Sequence, residues 1–391
     1  MIHDICIVGA GLGGLFAAKT LSENGIRPLV LERNKNVTDA ACGELVGGDT
    51  LKILEISKDS EIVSNKIHRG EFISLDSGKK MEFPEKLIRE FYLLDSSLLK
   101  EHLKEVAESN GATFKFKSNV VNVIKSKGSI RGVKTVKNDY KSNITVGADG
   151  SRSIVTKKGG FDFDNLKDLP AVRFKLKNCK GVDSDCMCFY LVRKLGIGYL
   201  WLYPRSRTEA NLGISSINSR NMVNILTDFI KNKPELRHAR IVNSSGDTVS
   251  YSGLLPKFVG DGVLLVGEAA GQVSNLVGGG VETTLIGAKM ASQVIIKAVE
   301  SHNYSEEYLK EYEENYRNSD TGIDVQNTAK YLSKIIEFSK KTDLFVYIEE
   351  IIESVEPNFI GDIVRGKFSR IMILKELLKH PLLIRFLEQL S

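Results

Sequence analysis

Over its first hundred residues the chain alternates short apolar runs with segments of helical period, and glycines mark the changes. Ile5 to Val8 is a continuous apolar run that predicts a buried strand, "LFAAKTLSENG" repeats its apolar positions at helical spacing up to Gly25, and "PLVLE" is a second buried run ending at Glu32. "DSSLLKEHLKEVAESNG" (95–111) predicts a helix, with Asp95 to Ser97 offering the N-cap and Gly111 the stop. Two later segments, "SNITVGADGSRSIV" (142–155) and "GDGVLLVGEAAGQVSNLVGGGVETTLIGAKMAS" (260–292), each read as a strand that runs into a glycine turn. Elsewhere the period drops to two. "VRFKLKN", "MCFYLV", "GYLWLYP" and "EANLGISS" alternate as half-buried antiparallel strands do, and "GEFISLDSGKKMEFP" is a hairpin turning at Asp76-Ser77-Gly78. From about residue 301 the pattern becomes helical and charged, with no internal repeat and no low-complexity tract.

Strand, glycines, helix, second strand and acidic residue follow one another in the order that dinucleotide binding requires. Gly9, Gly11 and Gly14 have G-x-G-x-x-G spacing, with Gly13 inside it. The first permits a tight turn, the second lets a pyrophosphate approach the backbone, and the third lets helix and strand pack closely. The helix N-terminus offers free N–H groups and the positive end of its dipole. Glu32, followed by Arg33, stands where a carboxylate accepts the ribose hydroxyls and repels a 2′-phosphate.

Taken with the two later strand–turn segments, this pattern resembles the glutathione-reductase-type fold of flavoprotein hydroxylases and their relatives, which implies FAD. The resemblance places Asp149, Gly150, Gly267 and Glu268 at the cofactor, Glu268 as ligand of the ribitol hydroxyls. It places the backbone of Gly278, Gly279 and Gly280 against the flavin ring, where a helix N-terminus stabilises negative charge on the reduced form. The chain departs from the usual pattern in having glutamate where aspartate is commoner, and "SNLVGGG" where a proline normally precedes the glycines. The expected fold class is α/β. A Rossmann-like FAD-binding domain is assembled from residues 1–60, 88–158 and 250–300. An antiparallel β-sheet substrate domain comes from 61–87 and 159–249, and a C-terminal helical region covers 301–391.

Within this fold the segment about ten residues beyond Glu32 returns past the flavin. There the chain has Cys42-Gly43-Glu44, and in the substrate sheet "GYLWLYP" supplies Tyr199, Trp201, Tyr203 and Pro204. These two motifs resemble the geranylgeranyl reductases, whose Cys-Gly-Glu and Y-x-W-x-F-P signatures they match, with Tyr203 in place of phenylalanine. The resemblance covers roughly residues 1–300. It implies that reduced FAD saturates carbon–carbon double bonds of prenyl chains in isoprenoid lipids, with Cys42 as the catalytic candidate, Cys42 and Gly43 also next to the cofactor, and Tyr199, Trp201 and Tyr203 lining the substrate. A thiol is a weak acid for protonating an unpolarised alkene, so Cys42 is either a proton donor or a positioning residue. Two other readings stay open: an FAD monooxygenase of the aromatic-hydroxylase type, and a prenyl-lipid carrier without chemistry on the same fold.

Composition narrows the partners. A net charge of +5 on 391 residues is too mild for a nucleic-acid binder. Five scattered cysteines form no disulfide framework, and the chain enters a strand at once with no basic leader, so a cytoplasmic protein is expected. Basic residues among apolar ones near the end (Arg365, Lys367, Arg370, Lys375, Lys379) allow contact with a membrane surface, although an ordinary amphipathic helix is the commoner source of that pattern. Cys186-x-Cys188 lacks a second ligand pair at zinc spacing and is not read as a metal site. Arg173, Arg205 and Arg207 are read as solvated surface. With no second G-x-G-x-x-G unit and no cysteine cluster for an iron–sulfur centre, the electrons come from an unidentified donor, a diffusing ferredoxin or NAD(P)H.

Overall fold

The computed structural model describes residues 2–37, 42–83, 90–165, 167–218, 220–274 and 278–354. The chain divides into two compact units: Met1–Asp39 with Ser96–Asp168 and Val249–Ala329, and Ala40–Asp95 with Leu169–Thr248 and Lys330–Ser391.

The first unit is built on a sheet whose middle is parallel. Ile2–Val8 is flanked by Leu29–Leu31 and Asp139–Gly147, which pair outward with Thr113–Lys115 and Val263–Leu265, all in parallel. At the centre of the sheet Ile5, Ile7, Val30, Ile144, Val146 and Leu264 are buried, as in a sheet covered by helices. Helix Leu12–Glu23 packs against helices Ser96–Ser109 and Val281–Glu300. Its close approach to Val281–Glu300 depends on Gly13, where a Cβ would lie 2.8 Å from Thr284 Cγ2. A hairpin not anticipated from sequence, Val120–Ser126 with Ser129–Thr135, extends the sheet from Asp139–Gly147. The "SEEYLKEYEENYRNS" segment forms helix Glu306–Asn318, whose Tyr312 and Tyr316 are buried against Phe258.

The second unit contains a seven-stranded sheet in the order Arg240–Ser250, Asp168–Lys177, Glu209–Ser216, Gly198–Pro204, Cys186–Leu191, Arg69–Ser74, Lys80–Glu82. The four alternating segments and the hairpin expected from sequence all form strands here; the long edge strand Arg240–Ser250 and helix Met222–Asn232 were not anticipated. Arg69–Ser74 runs parallel to Cys186–Leu191. A parallel pair needs a long connection rather than a hairpin, and the whole of 75–185 separates these strands. One face of the sheet, with Tyr190, Leu200, Leu202, Leu212 and Ile214, closes a core with Leu226 and Ile230 of helix Met222–Asn232. The opposite face carries the aromatic residues of strand Gly198–Pro204. A small antiparallel sheet joins Leu45–Gly47, Phe91–Leu94 and Val63–Ile67. Residues 40–60 and 88–95, assigned from sequence to the nucleotide-binding unit, therefore cluster with the second unit, and helix Glu306–Asn318 clusters with the first. Their long-range pairing, not their sequence neighbours, decides where they fold.

Among the described residues no helix is long and apolar enough to cross a membrane. The basic segment at 365–379 lies outside the described residues.

Candidate functional site

In the first unit, helix Leu12–Glu23 starts at Gly11 with extended backbone, no side-chain cap and no acidic residue in its first turn. Its first N–H groups thus have no side-chain acceptor, and the dipole's positive end is uncompensated. A Cβ built on Gly11 would meet nothing within 4 Å, whereas one on Gly14 would lie 2.0 Å from the Gly9 carbonyl oxygen. Gly14 is consumed by backbone packing; Gly11 faces open space. Gly13 lies against the neighbouring helix, where a side chain would meet Thr284. Glu32 is buried at the end of strand Leu29–Leu31. Its Oε2 accepts from Ala10 N at 2.8 Å, and its Oε1 accepts from Asn34 N and Nδ2 at 2.8 and 2.7 Å. These bonds fix the carboxylate while leaving acceptor capacity on Oε2 for one hydroxyl. Arg33 beside it is exposed. An anion-seeking helix end, an unfilled space over Gly11 and an oriented carboxylate fit the pyrophosphate and ribose of FAD.

Asp149 is half-buried, and the desolvation of its carboxyl raises its pKa. Its Oδ1 accepts from Ser153 Oγ and its Oδ2 from Ile154 N at 2.7 Å, so it ties the Gly150 turn to the start of helix Ile154–Gly159. Gly267 and Glu268 open a short 3-10 turn, with Glu268 half-buried. Sequence reasoning missed the residue that holds this turn. Gln272 is fully buried, its Oε1 accepts from Gly267 N at 2.7 Å, and its Nε2 donates to Tyr312 Oη at 2.7 Å. Gly278 and Gly279 are exposed, and Gly280 precedes helix Val281–Glu300 without a side-chain cap. The positive end of that helix dipole is left without a side-chain cap, with Glu282 in its first turn.

In the second unit the two motifs singled out by sequence lie together. Tyr199, Trp201 and Tyr203 share one face of strand Gly198–Pro204; the ring of Trp201 is stacked 6.3 Å from that of Tyr203, and Phe189 sits 5.5 Å from both tyrosines. Gly43 rests on this face, where a Cβ would lie 2.9 Å from Tyr203 Cε2. The tie between loop and strand is Asn211, fully buried on Glu209–Ser216. Its Oδ1 accepts from Trp201 Nε1 at 2.9 Å, and its Nδ2 donates to the carbonyls of Cys42 and Gly43 and to Glu44 Oε2 at 3.0, 3.2 and 3.0 Å. Cys42 is half-buried, and its sulfur accepts from Glu44 N at 3.3 Å. Burial raises the pKa of both Tyr199 and Tyr203, and the nearby Cys42 adds to the shift.

Glu44 turns its backbone left-handed (φ 65°) to send its carboxylate inward. There it meets Arg205 at 2.8 Å and Lys175 at 3.2 Å, and Arg205 continues to Ser64 and Asp95. The reading of the arginines as surface is corrected for two of them. Arg173 is wholly buried and Arg205 nearly so, while Arg207 is exposed. Buried cations persist where an anion and hydrogen bonds accompany them, and for Arg205 the anion comes from a loop far away in sequence. The usable signal was Asn211 itself, a polar residue in the middle of an apolar strand.

The FAD binding domain model matches residues 3–210. A digeranylgeranylglycerophospholipid reductase from Methanosphaera stadtmanae is 28% identical, over 88% of this chain and 89% of its own length. One from Methanococcus vannielii is 26% identical over 99% of this chain and 98% of its own. Among solved structures, a geranylgeranyl bacteriochlorophyll reductase-like protein from Thermoplasma acidophilum superposes with a TM-score of 0.77 at 23% identity, covering 100% of this chain and 99% of its own. That likeness establishes a shared fold.

Proposed function

Because the chain belongs to the FAD binding domain family, we propose that it is an FAD-dependent oxidoreductase that saturates carbon–carbon double bonds in the geranylgeranyl chains of isoprenoid lipids. The observation that carries this reading is the seating of the Cys42-Gly43-Glu44 loop on Trp201 and Tyr203 by Asn211, which joins a thiol to an aromatic surface suited to a greasy chain. The relatives' names supply the substrate class.

Bound FAD in its reduced form supplies a hydride to one alkene carbon, and a proton must reach the other. An isolated alkene is unpolarised, so the proton must arrive with the hydride or before it, leaving positive character on the more substituted carbon. The ring faces of Tyr199, Trp201 and Tyr203 stabilise that charge and exclude water. The phenols, raised by burial, stay neutral across any practical pH and keep the wall uncharged. The hydrogen bond from Trp201 to Asn211 fixes the angle of the indole. Cys42 delivers the proton or holds the alkene against the wall. Replacing it with alanine is expected to lower turnover about 10²-fold, the low end for a general acid, with KM little changed. Single-turnover absorbance of the reduced flavin measures this, and unchanged turnover would remove Cys42 from the chemistry.

The lipid is met at a membrane surface, and the electrons arrive from a diffusing ferredoxin or NAD(P)H. The decisive experiment incubates the dithionite-reduced protein with geranylgeranyl lipids and weighs the products. Gains in steps of two hydrogens are expected. Added oxygen would favour a monooxygenase, and unaltered lipid beside a flavin-loaded protein would favour a carrier.

A further inference from the structure

The parallel pair of strands in the second unit brings together three side chains that the chemistry above does not use. Cys186 and Cys188 alternate onto one face of their strand, and the register of the pair places Glu71 opposite Cys188. The two sulfurs and a Glu71 carboxylate oxygen all lie within 4.8 Å of one another. Tetrahedral zinc with Zn–S bonds of about 2.3 Å holds its thiolates about 3.8 Å apart, a separation of the same scale. We propose that Glu71, Cys186 and Cys188 form a binding site for a thiophilic divalent metal ion of the zinc class.

The surroundings suit such a site. Two thiolates and a carboxylate exceed a divalent charge by one, and Arg69, with Nη2 3.5 Å from Glu71 Oε1, supplies the balancing cation. The three ligands leave a fourth position for water. Cys188 and Tyr190 belong to the core face of the sheet, opposite the face of Trp201 and Tyr203, so the metal acts as a clip between Arg69–Ser74 and Cys186–Leu191 and takes no part in reduction. The C-x-C pair lacked further ligands along the sequence; the parallel register supplies one from the preceding insertion.

The test uses the full-length, FAD-loaded protein, reduced with a phosphine and freed of metal. Cobalt serves as the spectroscopic probe and zinc as the competitor. Expected are one metal per chain, a thiolate-to-cobalt charge-transfer band displaced by zinc, and a higher Tm with zinc present. Cys188→Ser abolishes the band, and Glu71→Gln weakens zinc binding by more than about 10-fold, as loss of supporting groups alone does. Cys42→Ser leaves the band unchanged. Should Cys188→Ser not fold, alkylation of the unmutated protein decides: zinc must protect two thiols, and peptide masses must place them at 186 and 188. Absence of the band, its persistence in Cys188→Ser, or protection mapped to other cysteines overturns the site.

Discussion

Gly11→Val is expected to yield a folded protein that purifies colourless, with FAD affinity lower by more than about 100-fold. Valine accepts the extended backbone of this position, and its side chain enters a space in which nothing lies within 4 Å of the Cβ. Exchanging glycine for an apolar residue at an N-cap costs about 1 kcal/mol, too little to unfold a domain of this size. The same side chain fills the place where a pyrophosphate must touch the helix N-terminus. Gly14→Ala is expected to behave differently. Its Cβ would stand 2.0 Å from the Gly9 carbonyl oxygen, backbone that cannot rotate away, so the helix must leave the turn and both fold and flavin binding are lost. Circular dichroism and bound-flavin absorbance on the two variants separate these outcomes. A yellow Gly11→Val protein with ordinary affinity would mean that the space over Gly11 is not where the cofactor lies.

Glu44→Ala is expected to destabilise the protein by about 3–5 kcal/mol, the usual consequence of removing one partner from a buried ion pair. The carboxylate side chain is 0% exposed and neutralises Lys175 and Arg205, which are 15% and 11% exposed. Without it two cations remain in a site from which water is nearly excluded, and Asn211 loses one acceptor. Arg205 keeps Asp95, so the largest change falls on Lys175. The loop carrying Cys42 is released with the carboxylate, and turnover should fall further than the loss of folded protein explains. Lys175→Met in the Glu44→Ala background is expected to recover part of the stability, because the double variant no longer buries a cation that has lost its Glu44 carboxylate. Urea unfolding of the four proteins in the cycle measures the coupling. Additive losses would show that Glu44 and Lys175 do not act as a pair.

The same ion pair shows where reading the sequence reached its limit. Nothing local links Glu44, Lys175 and Arg205, and basic side chains are exposed in most proteins, so surface was the natural reading for Arg173 and Arg205. Arg69–Ser74 presents the same difficulty. Its hairpin with Lys80–Glu82 is announced by Asp76-Ser77-Gly78, but its parallel alignment with Cys186–Leu191 depends on which strand of a distant segment it meets. Gln272 and Asn211 hold the two sites together, yet each is a single amide in an apolar stretch whose partners lie on other elements.

What the sequence determined by itself are the features set by neighbours within a few residues. The turn at Gly9, the helix from Leu12, the carboxylate at Glu32 and the alternation of Tyr199, Trp201 and Tyr203 follow from steric allowance, hydrogen-bond period and side-chain alternation, which act over one or two turns of backbone. The tertiary structure alone decided which strands run side by side, that Cys42 lies on Trp201 through Asn211, that Glu44 is surrounded by cations, and that Glu71 meets Cys188. These depend on register between segments far apart in the chain, and a buried charge or amide is tolerated only where folding brings its partner.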